Sequence, residues 1–231
     1  MIRIMLAAIA LLFAATHAEA AERRYTVSGF DRVQVHGPFV VTLAVGKAPG
    51  AVATGSQAAL DRLSVIVEGR TLRIRPNRSA WSAPPTPGEG GVRIALSTHE
   101  LAAVAVNGSG SLHIDKARAM RFDLNLSGSG RIALGEVDVD RLNLQLTGAG
   151  GISIGGKARQ LRVTVAGQGS LDASGLIAED AEIGAGTSGT ISLGVRRSAK
   201  IAAGGTGDVT IAGSPACTVT GFGAGRVACG R

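Results

Sequence analysis

Apolar and polar residues alternate around a regular series of glycines in the second half of the 231-residue chain. The last glycine of each bend recurs at intervals of 18 to 20 residues. These glycines are Gly110, Gly130, Gly150, Gly169, Gly189, Gly207 and Gly225. A fixed period of this length predicts a repeat architecture, in which each repeat is one structural unit.

Each repeat carries apolar residues at every second position on both sides of its glycine. At positions −8, −6, −4, +2 and +4 from that glycine, 34 of the 35 residues are apolar, Gly221 being the exception. None of the 28 interleaved residues at −7, −5, +1 and +3 is both apolar and larger than alanine. A period of two predicts β-strands with one buried and one solvated face. Each repeat is therefore expected to hold two short strands joined at a glycine corner, with a weaker third run in some repeats, as at Val137 and Val139.

One repeat cannot bury its apolar side alone, so neighbouring repeats must stack. They could form a parallel β-helix with one coil per repeat, or an antiparallel meander in which each glycine bend is a hairpin turn. We expect the parallel β-helix, because a near-constant period lets like residues stack upon like. The predicted fold class is thus all-β, a single-stranded parallel β-helix. Its outward position −7 would form a ladder of Ala103, Asp123, Asn143, Arg162, Glu182, Lys200 and Thr218. The alternating charges of this ladder predict surface ion pairs.

The chain is expected to consist of an export signal and one domain. Residues 1–20 hold a short apolar run and end in Ala18-Glu19-Ala20, a pattern typical of a cleaved signal peptide, although a short buried helix is the alternative. Residues 21–231 are expected to form a single β-helical domain. Irregular coils would occupy 21–100, with a proline-rich loop over 76–91, and regular coils would occupy 101–231. A helical turn with Ser56 as its N-cap is expected to cover the N-terminal end of the rod.

The formal charge of +7 points to anionic partners. An exported basic protein would meet an anionic glycan, lipopolysaccharide or an envelope protein, although the charge could also serve solubility alone. Only 3% of the residues are aromatic and the charges are interspersed, which argues against nucleic-acid binding. No segment after residue 20 is long and apolar enough to suggest a transmembrane helix. We therefore expect a periplasmic, extracellular or cell-surface bacterial protein.

Two cysteines lie close together near the C-terminus. An isolated pair in an oxidising compartment usually forms a disulfide, so we expect Cys217 and Cys229 to be linked. Two buried free thiols are the alternative. No Cys-x-x-Cys motif suggests metal binding or redox chemistry.

The sequence offers few candidates for a chemical site. His36, His99 and His113 lack the spacing of metal ligands, and the corner serines lack the helix that follows a nucleophile elbow. We therefore expect no catalytic residue, no metal and no cofactor. Trp81, in the proline-rich loop, is the candidate ligand contact, because an exposed indole could stack on a sugar ring. Its alternative role is to plug the end of the rod.

Several segments in a fixed order resemble a known family. "YTVSGFDRVQVHGPFVVTLAVG", "LDRLSVIVEGRTLRIRP" and "HELAAVAVNGSGSL", followed by the glycine series, are similar to the head GIN domain family, described as "putative auto-transporter adhesin". The similarity extends over roughly residues 30–231. It implies a right-handed parallel β-helix and an adhesin-like role, and it brings no catalytic or binding residues.

Two functions from different classes remain open. The first is a non-catalytic exported envelope module that presents a rigid face to a glycan or a protein. The second is a polysaccharide lyase or hydrolase built on a β-helix. Such an enzyme should cluster acidic or Arg and Lys side chains on one face at neighbouring coils, which the varied outward residues do not suggest.

Overall fold

A computed structural model describes residues 21–77 and 91–230, which form an almost entirely β structure around one core. The strands before the glycine series are β1 Ala21–Tyr25, β2 Arg32–His36, β3 Val40–Val45, β4 Gly50–Gly55, β5 Leu63–Glu68, β6 Thr71–Pro76, β7 Arg93–Thr98 and β8 Ala103–Gly108. Those that follow are β9 Ser111–Gly128, β10 Arg131–Gly148, β11 Gly151–Gly167, β12 Ser170–Thr187, β13 Ile191–Ala203, β14 Val209–Ala212, β15 Ala216–Thr220 and β16 Val227–Cys229. The helix α1 spans Gln57–Asp61.

The chain winds into a parallel β-solenoid, as the glycine period predicts. Strands β9 to β13 pair in parallel, each with the next, and β14, β15 and β16 continue the stack. Towards the N-terminus, β3 and β8 both pair in parallel with β9. Consecutive rungs therefore run in the same direction, which excludes the antiparallel meander for this part of the chain.

The outward ladder at position −7 has the predicted register. Ala103 lies opposite Asp123, Asp123 opposite Asn143, and Asn143 opposite Arg162. The pairing continues from Arg162 through Glu182 and Lys200 to Thr218. Because like positions stack in register, outward side chains form straight columns along the rod.

Each full coil has three sides rather than two. The long strands bend after the first side, where the register shifts, and a second short run follows before the next bend. Buried residues in that second run are Ala117, Val137, Val139, Ala158, Leu176, Ala178 and Val195. The third run that the sequence indicates at Val137 and Val139 is therefore a regular side of the coil.

The bend glycines are packed against the bend of the preceding coil. A Cβ on Gly150 would lie 2.6 Å from the carbonyl oxygen of Gly130, closer than real Cβ contacts allow. Gly148, two residues earlier, has a φ of +115°, a conformation that other residues rarely adopt. Glycine at these corners therefore serves both the turn and the close stacking of rungs.

The N-terminal end is built differently and is closed. Strand β4 pairs antiparallel with β7, β1 pairs antiparallel with β4, and β5 pairs antiparallel with β6. The predicted helical turn is present as α1, and the side-chain oxygen of Ser56 accepts a hydrogen bond from the Ala59 amide. The helix packs on β1, β4 and β5 and buries Leu60. It thus covers this end of the core.

The alternating apolar residues form most of the core, but those of the last repeat do not, which the sequence does not predict. In the first six repeats, all of these residues except Ala102 and Ala203 are buried. In the last repeat none is buried: Cys217, Val219 and Gly221 are exposed and Val227 and Cys229 are half-buried. The inward side of this coil is open because no described strand stacks beyond β15 and β16.

The expected disulfide between Cys217 and Cys229 is present, and its Cα atoms lie 6.6 Å apart. It joins β15 to β16 across the last coil. The cross-link thus constrains a coil whose alternating residues are not buried. Cys217 is exposed rather than buried.

Candidate binding face

One side of the solenoid carries large polar side chains on successive rungs. We call it the polar face, and define it as β2, β8, β15 and residues 121–127, 141–147, 160–166, 180–186 and 198–202. A shallow groove of about 530 Å³ lies on it, and a second of about 650 Å³ shares part of its lining. Arg121, Asn143 and Arg162 line both grooves. The two grooves therefore form one continuous polar surface over several rungs.

Amide side chains align along this surface. Asn143 donates a hydrogen bond from Nδ2 to Oδ1 of Asp123 at 2.7 Å, and Asn125 donates from Nδ2 to Oε1 of Gln145 at 3.2 Å. These residues stand one rung apart in register. The stacked amides are held in fixed orientation, with donor and acceptor capacity left for a ligand.

Arginines lie beside the amides, and most are paired with acids. The Nε of Arg121 donates to both carboxylate oxygens of Asp123 at 3.1 Å, and Arg162 reaches Glu182 at 2.7 Å. Arg141 lies directly opposite Arg121 on the next rung. Among the described residues Arg141 has no hydrogen-bonding or acidic partner. Its positive charge is therefore uncompensated and next to a second cation, which favours binding of an anion.

The acidic side chains of the second groove also accept hydrogen bonds from neighbouring residues. Asp180 accepts hydrogen bonds from Arg197 and from the hydroxyl of Ser198, the latter at 2.7 Å. These hydrogen bonds lower the pKa of Asp180 to about 2, and the bond from Arg197 contributes most. The same pairing raises the pKa of Arg197. On the first side of the coil, hydrogen bonds from Ser174 lower the pKa of Asp172.

Of the histidines considered for chemistry in the sequence, His36 is the last residue of β2 on the polar face, whereas His99 and His113 lie outside that face. His36, His99 and His113 are exposed, and the described residues contain no group of three or more His, Cys, Asp or Glu side chains that could hold a metal. Trp81, the candidate ligand contact, lies outside the described residues, as does the predicted signal peptide. The described helix α1 has five residues, and no described helix could span a bilayer.

The column that holds Arg141 was not apparent in the sequence. It occupies position −9 from each corner glycine and is formed by Arg121, Arg141, Gln160, Asp180 and Ser198. A period-two pattern counted from the glycine stops at −8, so it does not show whether −9 points outward. Extending the same count by one position would have found this column. Charged side chains do cluster on one face at neighbouring coils, contrary to the expectation from the varied outward residues.

A family model matches residues 29–215 of the chain, and its description is "Putative auto-transporter adhesin, head GIN domain". The chain belongs to the head GIN domain family. The match covers this head GIN domain from the strands near its N-terminus to the residue before β15. No curated protein shows a significant sequence match to it.

Solved structures share the fold of this head GIN domain. A putative adhesin from Bacteroides fragilis is similar with a TM-score of 0.81 and 21% identity, covering 90% of this chain and 96% of that one. A protein from Parabacteroides distasonis described as a putative lipid binding protein has a TM-score of 0.67 and 24% identity, covering 91% and 96%. A putative adhesin from the same species has a TM-score of 0.68 and 17% identity, covering 91% and 97%. At these identities the likeness shows a common fold.

Proposed function

We propose that this head GIN domain is an exported, non-catalytic envelope module whose polar face binds an acidic glycan. The observation that carries the proposal is Arg141, an unpaired cation beside Arg121 in a groove lined by fixed amides. The adhesin descriptions of the family and of similar structures support a role in binding. The overall charge of +7 supports an anionic ligand.

The chemistry of the groove suits a carbohydrate with carboxylate or sulfate groups. An arginine guanidinium can bind such a group with two parallel hydrogen bonds. Asn143 and Gln145 offer both donors and acceptors, as sugar hydroxyls require. Because the rungs stack in register, a linear chain lying along the groove can contact side chains of successive coils.

The acids of the groove are poorly placed for hydrolysis. A general acid needs a pKa near the working pH, whereas the pKa of Asp180 is lowered to about 2. Asp123 and Glu182 are each bound to an arginine. We therefore propose that the polar face binds the glycan without cleaving it. The assay for this proposal must detect both binding and cleavage of the glycan.

Binding and cleavage can be measured together. Purified protein lacking residues 1–20 is titrated with polygalacturonate, dextran sulfate and neutral dextran, and reducing ends are assayed in the same samples. We expect binding of the acidic polymers alone, weakened at least about tenfold by Arg141→Ala because a bidentate charged contact is lost.

The matched control is Arg131→Ala. Arg131 is an exposed arginine on another side of the coil, so this variant loses the same charge. Equal weakening in both variants would show that only net charge matters and would contradict the polar face as the site. New reducing ends, or unsaturated ends absorbing in the ultraviolet, would instead favour the polysaccharide lyase or hydrolase.

We also propose that residues 1–20 direct export and are then removed. Their apolar run and small-residue ending support this. Intact-mass measurement of the protein recovered from the periplasm or medium of an expressing bacterium should give a chain that starts at Ala21. Cytoplasmic protein that keeps residues 1–20 would contradict the proposal.

A further inference from the structure

The last described coil leaves an open sheet edge. Strand β15 pairs only with β13, and β16 only with β14, so the outer backbone groups of both have no described partner. Unpaired edges of this kind readily pair with another strand. The residues at the edge decide whether that pairing is favoured.

Apolar side chains are exposed at this edge. Phe222 is fully exposed, and Val219 is 49% exposed although it occupies an inward position of its strand. In register with it, Ile201 on the preceding rung is buried. Val219 is thus covered on one side of its column and open on the other, so a further strand would bury it.

The edge lacks the charges that usually prevent association. Between residues 213 and 230 the only charged side chain is Arg226, in a protein with 24 basic and 17 acidic residues. Native edge strands are commonly protected by charged side chains. Because the whole chain carries a net charge of +7, this nearly neutral end is the place where two copies can approach with least repulsion.

Among the described residues, the opposite end has no equivalent exposed apolar side chains, although its edge strands β1 and β5 each pair on one side only. Helix α1 covers the core there, and the outermost strand β1 carries Glu22, Arg23 and Arg24 among its five residues. The ion pair of Arg23 with Asp61 ties β1 to α1. A head-to-tail filament would need two complementary open ends, whereas one open end per molecule closes after a single contact.

We propose that the last coil is a dimerisation surface for a second copy of this chain. Strand β15 of one copy pairs antiparallel with β15 of the other about a two-fold axis, and the contact buries Val219 and Phe222. The disulfide between Cys217 and Cys229 holds the edge in shape before contact, which reduces the ordering cost of association. The family match ends at residue 215, so the surface lies outside the matched part. A contact of one coil end is small, and we expect a reversible dimer of micromolar affinity.

Sedimentation velocity on the full chain without residues 1–20 tests the proposal. We expect a concentration-dependent shift from monomer to dimer across the micromolar range. Val219→Lys and Phe222→Asp should each raise the dissociation constant at least about tenfold, because they place a charge in the contact. Phe222 is fully exposed, so its replacement does not disturb the core.

The matched control is Met120→Lys, at a side chain 80% exposed but far from the last coil. It should leave dimerisation unchanged. Amide exchange of residues 216–220 should also slow as concentration rises, which a contact elsewhere would not produce. A monomer at all concentrations, a dimer unaffected by both edge variants, or open-ended growth into filaments would each overturn the proposal.

Discussion

At the scale of single residues, the corner glycines leave little room for a side chain at the bends. Gly150 has a φ open to other residues, yet a Cβ would lie 2.6 Å from the carbonyl oxygen of Gly130 and 2.9 Å from Cδ2 of Leu126. Not every glycine is so restricted. A Cβ added at Gly175 would meet nothing closer than the Cα of Gly155, at 3.5 Å, which is an ordinary van der Waals contact.

This difference gives a matched pair of variants. Gly150→Ala should lower the free energy of unfolding by about 1–3 kcal/mol, because the methyl group forces stacked backbones apart. Gly175→Ala should leave it nearly unchanged. Urea unfolding followed by circular dichroism measures both, and equal effects would contradict the account of close rung stacking.

Asp180 gives a prediction for pH. Its folded-state pKa of about 2 lies below the ordinary value of 3.8, so its pairing with Arg197 and Ser198 stabilises the fold above pH 3.8. That contribution falls as the pH drops towards 2. Carboxyl NMR titration should find the pKa of Asp180 near 2, and Ser198→Ala should raise it because one hydrogen bond is lost. Titration of wild-type Asp180 at 3.8 would contradict the observed pairing.

At the scale of elements, we expect the last coil to depend on its disulfide, because none of its alternating apolar residues is buried. Its inward residues are small and open to solvent, whereas those of the preceding rungs are buried. Strands β15 and β16 therefore have little apolar packing to hold them. We therefore expect the free energy of local opening to be lower in the last coil than in the preceding rungs.

Replacing both cysteines with serine should free this coil alone. Removal of a 12-residue cross-link costs up to about 3 kcal/mol on the chain-entropy model. Amide exchange in β15 and β16 should accelerate while exchange in β10 and β11 stays slow, when measured at concentrations where the protein is monomeric. A reductant should have the same effect on wild type and none on the double variant. Unchanged exchange in β15 would contradict this role.

The local pattern in the sequence was enough to predict most strands, but not which neighbouring residues each strand would contact. The alternation around each glycine predicts the strands, and its near-constant period predicts their register, from Ala103 to Thr218. It cannot indicate that Val219 lies on the outermost described rung, since burial there depends on a neighbouring strand beyond the pattern. Nor did a count that stops at position −8 include Arg121 and Arg141, which lie side by side at position −9.

At the scale of the whole molecule, regular stacking explains both the stability of the rod and the polar face on it. Apolar columns fill one core from Phe30 to Ile211. Polar columns on the outside place equivalent side chains at equal spacing along one side. The proposed glycan site and the proposed dimer contact both follow from this arrangement, the first from its repeated face and the second from its open end.

The distance between two labels in one column tests this arrangement most directly. Ala105 and Ala202 belong to the same outward column, five rungs apart through Asn125, Gln145, Thr164 and Gly184. With spin labels at Ala105→Cys and Ala202→Cys, pulsed electron paramagnetic resonance should give a narrow distribution centred near about 24 Å, set by about 4.8 Å per rung. A meander with two strands per repeat would double the separation to about 48 Å, and that result would contradict the account.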